Sequence, residues 1–149
     1  MRKQTYIIVA MIIALSAVGL STASAQSTSS QQFTADIPFA FHVGSQRLPA
    51  GEYVVRCINP SSDVKVLQLR SSDGKSSAML HTNSVEGRMI QDAKLVFNRS
   101  GNQYYFAQEW LVSEKVGMQA AKSRREKATA KELARLAQAP EMVAIARKR

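Results

Sequence analysis

Two histidines, one cysteine and a scatter of carboxylates are the residues of this chain whose types suit acid–base or nucleophilic chemistry. Catalysis needs such a group held against a partner that activates it. His42 and His81 belong to no H-E-x-x-H pattern and have no cysteines at metal spacing. There is no G-x-S-x-G, no glycine-rich phosphate loop and no recognisable carboxylate pair. Cys57 shares a strand face with Tyr53 and Val55, the setting of a buried, inert thiol. His42 falls opposite Phe39 and Phe41, which turns it towards solvent, and His81 reads as structural. The sequence therefore names no catalytic, metal-binding or cofactor-binding residue, and the chain reads as non-enzymatic.

Charge is the stronger signal. The formal net charge is +9, and it is unevenly placed. Residues 33–114 hold eight basic and eight acidic side chains, whereas residues 115–149 hold ten basic and three acidic. A neutral body with a cationic tail points to an anionic partner for the tail. Within that tail Arg124, Lys127, Lys131 and Arg135 fall along one side of a helix, which makes them the candidate residues for binding an anionic surface. Among the aromatics Tyr104, Tyr105, Phe106 and Trp110, Tyr105 faces away from Tyr104 and Phe106 and is the candidate exposed ring for stacking. Asn98-Arg99-Ser100 is formally a glycosylation sequon.

The elements that must carry these residues follow from periodicity. Odd positions from 33 to 43 are apolar (Phe33, Ala35, Ile37, Phe39, Phe41, Val43), the period-2 pattern of a half-buried strand. Pro38 cannot donate to a ladder, so this strand is an edge or is broken there. Further apolar runs, each bounded by turn residues, cover 52–58, 64–70, 78–85, 94–99 and 103–112. Asp73-Gly74 marks a tight hairpin. No helical pattern separates the runs. The chain reads as mainly β, an antiparallel meander forming a small barrel or sandwich, followed by one C-terminal α-helix. Ser123 and Glu126 fit a capping box at the start of that helix, and Ala130, Leu133, Ala134 and Ala137 give it a thin apolar stripe.

At the other end, Arg2 and Lys3, the apolar run 6–20 and Ala23-Ser24-Ala25 have the layout of a secretory signal peptide cleaved after Ala25. The apolar run is shorter than the roughly 20 residues of a spanning helix. The domain plan is a signal peptide at 1–25, a disordered leader at 26–32, a β-domain at 33–114 and a basic helical tail at 115–149. On this plan the product works in the periplasm or outside the cell, and a chain ending at Val116 folds normally. A single cysteine leaves no internal disulfide, so the core alone holds the fold.

Two blocks carry a resemblance. Residues 37–44 (IPFAFHVG), followed by 48–55 (LPAGEYVV), resemble a family of small exported bacterial β-proteins of the acidobacterial type, which share an IPF-x-F…LPAG-x-Y pattern. Leu95, Phe97, Tyr104 and Phe106 resemble that family's later strands, and the likeness spans about 33–132. Ala107 stands where the family commonly has Leu. The resemblance implies an exported β-fold and assigns no activity.

Together these readings describe an exported binding or envelope-associated structural module. Its basic tail docks on an anionic surface, with peripheral membrane contact and no nucleic-acid partner. The alternative is a small β-barrel that binds an apolar ligand, which the large inward aromatics disfavour by filling the lumen.

Overall fold

The structure, a computed structural model, describes residues 32–136 and 139–148. It is mainly β with one C-terminal helix, as the periodicity predicts. The strands are β1 (Gln32–Ile37), β2 (Phe41–Val43), β3 (Gln46–Leu48), β4 (Gly51–Cys57), β5 (Lys65–Ser71), β6 (Ser77–Glu86), β7 (Lys94–Ser100), β8 (Gln103–Trp110), β9 (Val116–Ala120) and β10 (Glu141–Ala146). The helix α1 is Arg124–Arg135. The expected signal peptide and most of the expected leader lie outside the described residues; Gln32 already belongs to β1.

One sheet holds all the strands. It runs β1-β4-β5-β6-β9-β8 and continues through β7 to β10. The short β2 joins β8 in parallel, through Phe41 opposite Tyr104 and His42 opposite Tyr105, and β3 pairs with β2. The sheet is not closed by a ladder. Its edges meet where the Lys148 amide donates to the Thr34 carbonyl at 2.8 Å, beside an ion pair between Lys148 and Glu52.

The core follows from alternation. Phe33, Ala35 and Ile37 on β1, Tyr53, Val55 and Cys57 on β4, and Leu67 and Leu69 on β5 all point inward. Phe97 sits at the centre, edge-on to Phe39, Phe41 and Phe106. The break at Pro38 occurs: β1 ends at Ile37 and β2 begins at Phe41, while the half-buried Phe39 stacks on Tyr104 at 3.8 Å. The LPAG-x-Y block is a self-contained turn. Leu48 is buried, Gly51 has a φ of 151°, and the Tyr53 hydroxyl donates to the Pro49 carbonyl at 2.8 Å. Asp73-Gly74 forms the β5–β6 hairpin, with Gly74 at a φ of 73°.

The boundary after Glu114 does not hold. β9 lies between β6 and β8, and β10 pairs with β7 along its whole length. The period-2 pattern is weak in both segments because they are short and carry polar or glycine residues: β9 is VGMQA and β10 is EMVAIA. Their place is decided by the free ladder edges of β6, β8 and β7. A chain ending at Val116 would lack the rest of β9, α1 and β10, so it would not keep this sheet. Beyond β10, Arg147 donates its amide to the Ala93 carbonyl at 2.8 Å.

Candidate functional site

Three strands place one row of side chains on the outer face of the sheet. His42 on β2 lies opposite Tyr105 on β8, which lies opposite Asn98 on β7. The helix α1 covers this row. Asn98 Nδ2 donates to Glu126 Oε1 at 2.8 Å, and the Tyr105 hydroxyl lies 3.1 Å from Thr129 Oγ1. Leu133 rests over the β7–β8 turn, where its Cδ2 would be 3.9 Å from a Cβ on Gly101.

The helix starts as the sequence indicates. Ser123 accepts a hydrogen bond from the Glu126 amide at 3.1 Å. The reciprocal half of the capping box is replaced, because the Glu126 side chain turns to Asn98 and is buried there. That contact also occupies the sequon asparagine. Of the expected apolar stripe, Ala130 and Leu133 are half-buried and Ala134 is exposed; Ala137 lies outside the described residues.

At about 100° per residue, Glu126, Thr129, Ala130 and Leu133 centre on one side of α1, and Arg124, Lys127, Lys131 and Arg135 centre on the opposite side. All four cations are exposed. Among the described residues, Arg135 pairs with Glu132 at 3.6 Å, while Arg124, Lys127 and Lys131 have no ion pair. The predicted ridge is therefore a single outward-facing row on an anchored helix.

Two expectations about side chains are corrected. Tyr105 is not an exposed stacking ring; it is 1% exposed. It faces away from the core, as its strand parity indicates, but α1 lies over it. His42 is not at the solvent surface either. It is 4% exposed, stacks on Tyr105 at 5.1 Å, and its Nδ1 has no partner. Burial lowers its pKa below the usual 6.5, and Arg125 and Arg47 lower it further. His81 is exposed on β6, and Cys57 is buried as expected.

A recess of about 270 Å³ opens beside this row, lined by Ala40, His42, Arg47, Asn102, Gln103 and Arg125. A larger groove, about 400 Å³, lies elsewhere on the outer face around Trp110, with Val96, Gln108, Ile90, Met142 and Lys94. Inside the sheet, Glu109 stands between Leu95 on β7 and Met118 on β9. It is 1% exposed and neither carboxyl oxygen has a hydrogen-bond partner. Burial, with a smaller push from Glu114, raises its pKa to about 8 against a weaker opposing pull from Lys65. Nothing in the sequence around Glu109 marks it as inward-facing, because a bulge intervenes: Phe97 pairs with Phe106 and Val96 with Gln108, so Ala107 has no partner.

Among the described residues no three of His, Cys, Asp or Glu gather as a metal set. No described helix is long and apolar enough to cross a membrane. Compared with protein-family models, with curated proteins and with solved structures, the chain matches none.

Proposed function

We propose that this protein is an exported, non-enzymatic binding module that docks through α1 on an anionic envelope surface, with anionic lipid headgroups as its partner. One observation carries this reading. The helix is fixed to the sheet by Glu126, Thr129 and Leu133, and it presents Arg124, Lys127, Lys131 and Arg135 on its opposite side. A row of exposed cations on a rigid support attracts anionic lipid without first ordering a disordered tail. Leu133 is turned to the sheet, so the contact is electrostatic and does not insert. The signal-like start and the resemblance to exported β-proteins support the location.

The reading is tested by co-sedimenting the chain 26–149 with anionic and zwitterionic vesicles over a range of salt. Salt-sensitive binding to anionic vesicles alone, lost when the four cations become glutamine, supports it. Equal binding by that variant overturns it.

An apolar ligand inside the sheet has less support. Inward positions are filled by Phe41, Tyr53 and Phe97, all fully buried. The groove of about 400 Å³ around Trp110 lies on the outer face.

A further inference from the structure

We propose that the recess between the β2–β3 hairpin and the first turn of α1 binds a phosphate monoester group. Its lining brings together Arg47 from β3, Arg125 from α1, Asn102 from the β7–β8 turn and Gln103 at the start of β8, over His42. No carboxylate lines it. Arg47 and Arg125 are exposed, and among the described residues neither guanidinium group makes an ion pair or a hydrogen bond. Two like charges held at one recess without a counter-ion repel one another, and a bound dianion relieves that repulsion.

The chemistry of the donors selects the ligand. Guanidinium forks match the oxygens of phosphate and bind them in pairs. Gln103 Oε1 is already taken by the Tyr105 hydroxyl, so its amide nitrogen is what Gln103 has left to offer. Two fixed positive charges match the dianion that a phosphate monoester forms near neutral pH. At about 30 Å³ per water, 270 Å³ corresponds to roughly nine waters, room for a phosphate with a small organic group.

His42 makes the site self-reporting. The groups that face it are Tyr105 beneath its ring and the two guanidinium groups of Arg47 and Arg125. Burial and those two charges keep it neutral when the recess holds no anion. A bound phosphate cancels the two charges and favours the imidazolium, so phosphate binding and protonation of His42 strengthen each other. The recess is separate from the cationic ridge, since Arg125 lies about a quarter-turn from Arg124 and Arg135. It stands whether or not the ridge binds lipid.

The test is a nuclear magnetic resonance titration of the chain 26–149 with inorganic phosphate, with sodium chloride at matched ionic strength as the control. The chain has two histidines, so exposed His81 is an internal reference for His42. The expected result is a saturable phosphate-dependent shift of the His42 ring signals and a rise in its titration midpoint, with His81 unmoved. Arg47→Gln and Arg125→Gln should each weaken the response by roughly tenfold, while Lys127→Gln and Lys131→Gln leave it intact. Competition by phosphatidic acid vesicles assigns the source to a lipid monoester; competition only by glycerol phosphate assigns it to a soluble one, and either upholds the site. The proposal is overturned if about 10 mM phosphate, ten times a Kd of about 1 mM, gives no saturable shift. It is also overturned if the two arginine variants respond like the unaltered chain.

Discussion

Asn98 and Glu126 are 28 residues apart in sequence and joined by a 2.8 Å hydrogen bond from the Asn98 amide to the Glu126 carboxylate. This contact seats α1 on β7. Replacing Glu126 with alanine leaves the Asn98 amide without its partner and should cost about 1–3 kcal/mol. Ser123 still caps the helix, so α1 should loosen from the sheet before it unwinds. Hydrogen exchange decides the matter: amides of α1 should exchange faster while those of β5 and β6 keep their protection. Unchanged exchange in α1 would show that Glu126 is not what holds the helix.

The ridge should behave as an electrostatic unit. Each cation of Arg124, Lys127, Lys131 and Arg135 changed to glutamine is expected to weaken partition onto anionic vesicles by roughly fivefold at low salt. The four together should abolish it. Binding should also decline between low and physiological ionic strength. Because β9 and β10 are part of the sheet, charge substitution is the proper comparison and truncation at Val116 is not.

Glu109 should make the fold less stable as pH rises. Its pKa is raised from 4.5 to about 8 in the folded chain, so between those values the folded state holds a proton that the unfolded chain releases. Stability then falls with increasing pH, by up to about 1.4 kcal/mol per unit within that window, and levels off above it. Below the window the effect vanishes. Urea melts of Glu109→Gln and the unaltered chain at pH 5 and pH 9 should show the variant gaining at pH 9 only. A pH-independent difference would mean that Glu109 is not held protonated.

Trp110 lies flat across two glycines, and they should respond differently to alanine. A Cβ on Gly87 would overlap the Trp110 ring, within 2.5 Å of Cζ3, whereas one on Gly117 would also meet the Glu109 carbonyl oxygen at 2.8 Å. Each Gly→Ala change should cost about 1–3 kcal/mol. In a Trp110→Leu background the Gly87→Ala cost should largely disappear and the Gly117→Ala cost should persist, since the backbone cannot move aside. A thermal double-mutant cycle that finds both costs unchanged by Trp110→Leu would refute this packing.

The sequence by itself determined the β-body and the start of the helix, because both are written in local chemistry. Alternating Phe33, Ala35 and Ile37 need a core on one side, Pro38 ends a ladder, Asp73-Gly74 accepts a tight turn, and Ser123 caps whatever helix follows it. The ridge of Arg124, Lys127, Lys131 and Arg135 is likewise a matter of spacing on a single helix. Only the tertiary structure decided what that helix covers. Parity correctly turned His42 and Tyr105 away from the core, but parity cannot say whether an outward face meets water or another element. Here α1 takes that place, and both rings are buried. The strand identity of Val116–Ala120 and Glu141–Ala146 was also beyond local pattern, because short segments take their conformation from the unpaired edges they complete. The recess brings together His42 and Arg47 of one hairpin, Asn102 and Gln103, and Arg125, three separate parts of the chain, and no spacing in the sequence records that meeting.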